Sequence, residues 1–163
     1  MAAVIKTAVS YINVMSIVTL TYKITIQASQ QKTFEYVSDW EKQSDWILFT
    51  TVKNLSDPTD RVNPRLRATT SFGLLRFVDT MIVTEWQPYE KIVVEHTGRK
   101  ILGKGVFTVV ETSPTSCEFI WQEITPVPFG VVGQIGLAVL KPAMKILFTI
   151  SLKKLKRTIE SSI

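Results

Sequence analysis

Two side chains of this 163-residue chain are the better candidates for proton transfer, and both lie in strand-like segments. His96 is the only histidine. An imidazole titrates near neutrality until burial or a carboxylate moves it, so it can act as acid, base or anchor for a polar group. Glu123 is the second candidate. If the two share an interior face, they can support acid–base work or simply satisfy each other's hydrogen bonds. A lone interior histidine is more often hydrogen-bonded to a backbone carbonyl or a carboxylate than catalytic. His96 and Glu123 are therefore candidate catalytic residues to which no role is assigned. Cys117 is the only cysteine, which excludes an intramolecular disulfide and fits a reducing, cytoplasmic setting. An apolar interior keeps a thiol neutral, so a Cys117–His96 nucleophilic pair is disfavoured. One histidine and one cysteine provide no familiar metal-ligand spacing. The segment GRKILGKG, residues 98–105, lacks the spacing of a phosphate-binding loop, and no dinucleotide fingerprint follows a strand. Neither metal nor cofactor is expected.

Alternation of apolar and polar residues shows which elements would position these side chains. Val18, Leu20, Tyr22, Ile24 and Ile26 alternate with polar residues and mark a half-buried first strand. Ser29 is suited to cap a short helix with Phe34 and Val37 inside, and a second short helix or turn leads to Trp46. Strands follow over roughly 47–55, 66–72, 75–86, 91–97, 101–111 and 115–124. The later connections are short enough for an antiparallel meander. Ile92, Val94 and His96 share one face of the fifth strand. Gly103, Gly105, Phe107 and Val109 share one of the sixth, and Cys117, Phe119, Trp121 and Glu123 one of the seventh. The strand over 75–86 resists this treatment, because each of its faces carries both charge and bulk.

Residues 142–160 read as one amphipathic helix, with Met144, Phe148, Leu152, Leu155 and Ile159 on its apolar face. Pro142 either starts this helix or kinks a longer one that includes the apolar, glycine-rich stretch 129–140. Strands followed by one long helix indicate an α+β domain, a seven-stranded antiparallel sheet wrapped around the C-terminal helix. That domain is expected over 15–163, preceded by an extension, residues 1–14, that lacks a targeting pattern. The enclosed space would be walled by Ile92, Val94, His96, Phe107, Phe119, Trp121, Glu123, Met144 and Phe148. Such a wall suits either a filled core or a cavity for an apolar molecule oriented by a few polar groups. Gly103 and Gly105 favour the cavity by removing side-chain volume, although they could also mark a bulge.

A hydrophobic fraction of 45% is high for a domain of this size. The net charge of +5 is spread along the chain except at Lys153, Lys154, Lys156 and Arg157, a group read first as the solvated end of a helix and second as a membrane-surface patch. No transmembrane segment is expected, since the longest apolar run, 129–140, is too short to span a bilayer. Nucleic-acid binding has little support, because the aromatic residues fall on interior faces.

Four segments carry a family resemblance by their order and spacing: ITIQASQQKTFEYVSDWEKQSDW (24–46), VTEWQPYEKIVVE (83–95), GKGVFTVVETSPTSCEFIWQE (103–123) and SLKKLKRTIE (151–160). Together they resemble the START/Bet v 1-like superfamily, also called SRPBCC, and within it the polyketide cyclase/dehydrase and lipid-transport branch. The resemblance implies a helix-grip fold with two short helices after strand 1. It also implies a cavity for a lipid, quinone, polyketide or aromatic metabolite. Two alternatives stay open: a cyclase or dehydratase using His96 or Glu123 for proton transfer, and a protein-binding module of co-chaperone or toxin type.

Overall fold

The computed structural model describes residues 16–57, 59–60, 63–98, 101–127 and 130–162. Expectations about residues 1–14 lie outside the described residues. The elements are β1 (Ser16–Ile26), α1 (Gln30–Val37), α2 (Gln43–Trp46), β2 (Thr50–Asn54), β3 (Arg65–Phe72), β4 (Leu75–Gln87), β5 (Lys91–His96), β6 (Lys104–Ser113), β7 (Ser116–Val127) and α3 (Gly130–Glu160). All seven strands form one antiparallel sheet in the order β1-β7-β6-β5-β4-β3-β2. The chain thus adopts the helix-grip arrangement.

Register explains how the inner face is built. One row across the sheet aligns Tyr22, Trp121, Phe107, Ile92 and Trp86, so four strands contribute an aromatic residue to it, with Ile92 between Phe107 and Trp86. The next row aligns Leu20, Glu123, Gly105, Val94 and Val83. Trp46, from α2, is fully buried over the first row, with its ring 5.5 Å from that of Trp121 and 6.1 Å from those of Phe107 and Phe119. Ser29 caps α1, its hydroxyl accepting from the Lys32 N–H at 3.3 Å.

Helix α3 packs on β1, β7 and α2. Leu152, Leu155 and Ile159 are buried, each worth about 1.5–3 kcal/mol of gross apolar burial. They hold down the C-terminal half of the helix. The helix is one element of 31 residues that runs through Pro142. At about 1.5 Å per residue its length is roughly 46 Å. Its first turns are therefore as helical as the amphipathic stretch after Pro142.

Three strand boundaries move from their sequence positions for local reasons. Strand β2 starts at Thr50 rather than Ile47, because Ile47 caps α2 and Phe49 takes a left-handed backbone (φ 59). Strand β6 starts at Lys104 because Gly103 has φ +116, and a Cβ there would lie 2.1 Å from the Ile124 carbonyl oxygen. Only glycine fits that approach. Strand β7 continues past Ile124 to Val127, Pro126 being paired with Ile17 on the edge strand β1. The confusing alternation of β4 has a single cause. A bulge between Val83 and Glu85 switches the strand's parity, so Asp79, Met81 and Val83 point inward before it and Trp86 after it.

Candidate functional site

Among the described residues the inner face carries a polar cluster made by Asp79 on β4, His96 on β5 and Glu123 on β7. His96 Nδ1 lies 2.5 Å from Asp79 Oδ2, and its Nε2 lies 3.4 Å from Glu123 Oε2. The indole N–H of Trp121 donates to Glu123 Oε1 at 2.7 Å, which fixes the carboxylate from its other side. Strands β5 and β7 are not neighbours, since β6 runs between them and sets them roughly 10 Å apart. The side chains meet because the intervening inward position, Gly105, has no side chain. A Cβ on Gly105 would sit 3.0 Å from Val94 Cγ2 and 3.5 Å from Glu123 Oε1. The space beside Gly105 is thus taken by the Val94 methyl and the Glu123 carboxylate, and Gly103 marks a close backbone approach. Neither glycine opens a void at its own position, which replaces the cavity reading of the pair.

Burial of the imidazole works against its charge. The hydrogen bonds to Asp79 and then Glu123, with the Coulombic pull of both carboxylates, outweigh it and raise the His96 pKa from 6.5 to about 9. At neutral pH His96 is an imidazolium that donates from both nitrogens. Asp79 Oδ1 is buried and has no hydrogen-bond partner among the described residues. A buried acceptor left so costs about 1–3 kcal/mol unless water or a ligand donor reaches it. Among the described residues no group of three or more His, Cys, Asp or Glu side chains is placed to hold a metal ion. Here each ring nitrogen faces a different carboxylate, so the three residues share no common vertex.

The apolar surroundings divide in two. Ile92 and Phe119 are sealed in the packed core, and Val94, Phe107 and Trp121 lie at its edge. Beyond the edge, residues on both walls are only half-buried: Val18, Leu20 and Tyr22 on β1, Met81 on β4, and Leu137, Met144 and Phe148 on α3. Phe148 stacks on Tyr22 at 4.4 Å and tilts against Trp121 at 4.3 Å. The polar cluster borders this less tightly filled end. Side-chain exposure is 8% for Asp79, 9% for His96 and 17% for Glu123, making Glu123 the most accessible of the three.

Cys117 takes no part. It is six positions from Glu123 along β7, about 20 Å away. Its thiol donates to Thr33 Oγ1 at 3.1 Å, and burial pushes its pKa up. Sequence reasoning misses Asp79. The usable signal is its period-two relation to Met81 and Val83, which the bulge obscures when the strand is read whole. Val18 and Leu20 read as facing inward from their alternation, yet nothing in the sequence connects them with the site.

A sheet gripping one long helix, with a small polar cluster set in an apolar inner face, defines a START/Bet v 1-like protein. Residues 18–160 match the family described as polyketide cyclase/dehydrase and lipid transport, and the chain belongs to that family. Among solved structures it resembles the Zhui aromatase/cyclase of Streptomyces sp. R1128, with TM-score 0.73, 12% identity, and coverage of 89% of this chain and 94% of that one. The protein TTHA0849 of Thermus thermophilus gives TM-score 0.72 at 10% identity, covering 88% and 98% of the two chains. The di-domain aromatase/cyclase StfQ of the steffimycin biosynthetic pathway gives TM-score 0.70 at 11% identity, covering 90% of this chain and 51% of that one. At these identities the likeness establishes the fold. A search of curated proteins finds no match.

Proposed function

We propose that the chain binds a hydrophobic small molecule that carries one hydrogen-bonding group. The apolar part would lie between the half-buried residues of β1 and α3, and the polar group would meet the cluster at Glu123. The observation that carries this reading is the polar cluster itself, charged and mostly buried at the border of an otherwise apolar space. Ligand sites commonly combine an apolar lining with a few placed polar groups. Of the candidate wall residues, Met144, Phe148, His96, Glu123 and the ring of Trp121 would touch the ligand. Ile92, Val94, Phe107 and Phe119 would support them from the core. Native mass spectrometry of protein purified from its own cells tests the reading. A bound apolar molecule supports it, and apo protein that also fails to bind any hydrophobic fluorescent probe contradicts it.

A second reading, a cyclase- or dehydratase-type enzyme, is favoured by the same cluster, which holds a protonated imidazole beside an accessible carboxylate. Against it stands the engagement of both ring nitrogens, since a cation tied at both ends is a poor proton shuttle. Glu123→Gln separates the two. Unchanged probe binding with lost turnover of the co-purified molecule means an enzyme, and weakened binding with no chemical change in that molecule means a binder.

A further inference from the structure

The side of α3 turned away from the sheet is apolar where a solvated helix would be polar. Ile135, Val139, Ile146 and Ile150 recur at spacings of four, seven and four and are all exposed, on the side opposite Leu152, Leu155 and Ile159. Within Ile135–Glu160 an 18-residue window reaches a mean hydropathy of 1.7, long and apolar enough by composition to cross a bilayer. In the sequence the apolar run stops at Lys141 and Pro142, whereas the helix continues through both. Burial of its C-terminal half in the core holds it along the molecule, so it presents a side rather than an end. Beside it lies a second exposed apolar group. The Leu48 N–H donates to Ser151 Oγ at 3.0 Å, placing Phe49 next to the end of the stripe. Phe49 holds a left-handed backbone uncommon outside glycine and keeps its ring exposed against Phe72, 5.1 Å away. Phe72 leads into the β3–β4 turn, where Leu74 is fully exposed.

The charges that α3 brings to this surface are nearly all of one sign. Helix α3 carries Lys141, Lys145, Lys153, Lys154, Lys156 and Arg157. Its only acid, Glu160, is bonded to Lys156 at 2.7 Å. A groove of about 310 Å³ between β1 and α3 brings Lys145 and Lys153 to its walls together with Lys23, which is paired with Glu118 at 3.1 Å. An isologous contact with a second copy would set these cations against their own images, which disfavours self-association through this face. An anionic bilayer matches both properties, since it receives the apolar stripe and attracts the flanking cations.

We infer that the outer side of α3, with Phe49, Phe72 and Leu74, docks the protein on an anionic lipid surface. The helix would lie in the interface plane and Leu74 would enter the acyl boundary. This goes beyond the ligand-site reading and does not depend on it.

The test is flotation of the whole chain with vesicles of phosphatidylcholine, alone or with phosphatidylserine, at low and high salt. Binding is expected to anionic vesicles about tenfold or more above neutral ones, and to weaken with salt. The double variants Val139→Asp with Ile146→Asp, and Lys153→Glu with Lys154→Glu, should each lose at least about tenfold of it at an unchanged melting temperature. His96→Ala should leave it unchanged, which keeps this outcome distinct from any failure of the ligand-site reading. No vesicle binding, equal and salt-insensitive binding to both lipids, or full binding by the Val139 and Ile146 variant would overturn the inference. So would a stable dimer in light scattering that the same variant dissolves.

Discussion

The stability of this protein should fall as pH rises through a range where most proteins are indifferent to it. His96 has a pKa of about 9 in the folded state against 6.5 for an unperturbed imidazole. A group held protonated by the fold contributes fully below the unfolded value, and the contribution is lost as pH rises toward the folded one. Between pH 6.5 and about 9 the unfolded chain has released the proton and the folded chain still holds it. Unfolding free energy should then decline by about 1.4 kcal/mol per pH unit, roughly 3 kcal/mol over the window. Urea unfolding at half-unit steps from about pH 5.5 to about 8.5 measures this, and Cys117, its pKa raised by burial, adds a decline of the same sign only near the top of the range. His96→Gln, which cannot titrate, should be less stable than wild type near pH 6 and should lack the slope. Subtracting its profile cancels the other groups. A wild-type profile that is flat or rising across this window, or an imidazole seen by NMR to titrate near its ordinary value, would refute the description of His96 as an imidazolium held by two carboxylates.

Three further outcomes follow from the same geometry. Gly105→Val should drive a methyl into Val94 and the Glu123 carboxylate, costing about 1–3 kcal/mol and lowering the His96 pKa; thermal unfolding and imidazole NMR read the two effects. Phe148→Ala removes a half-buried ring and should cost about 2 kcal/mol, less than for a sealed core position, and should weaken binding of a hydrophobic probe. Cys117 should resist alkylation in the native protein and react on unfolding, as followed by mass spectrometry; rapid native labelling would contradict its burial and hydrogen bond to Thr33.

The parts of the fold legible in the sequence are those where one periodicity runs without interruption. β1 and most of β7 alternate in exposure. β5 and β6 keep the two-residue facing although Val93 and Val106 on their other face are also buried, so the inward placement of His96, Phe107, Trp121 and Glu123 can be read directly. The stripe from Met144 to Ile159 likewise locates the gripping face of α3. Legibility fails where the backbone departs from regular geometry. The bulge after Val83 hides Asp79, the third member of the polar cluster, and with it the reason His96 is charged. Gly105 stands out in the sequence for the right property, its missing side chain, but what uses that space comes from strands β5 and β7. Such a meeting across an intervening strand depends on register between positions 27 residues apart. The apolar outer stripe of α3 is hard to see because Lys141 and Pro142 interrupt it in sequence without interrupting the helix.

The central claim is that the Asp79–His96–Glu123 cluster reads a polar group on an otherwise apolar ligand. The most direct measurement compares two probes of like shape, naphthalene and 2-naphthol, titrated against wild type and Glu123→Gln while the His96 ring is observed by nitrogen NMR. The expected result is that the hydroxylated probe binds wild type more tightly, by about fivefold or more, and shifts the His96 resonances, with the advantage reduced in Glu123→Gln. Equal affinity for the two probes, with His96 undisturbed by either, would contradict the account.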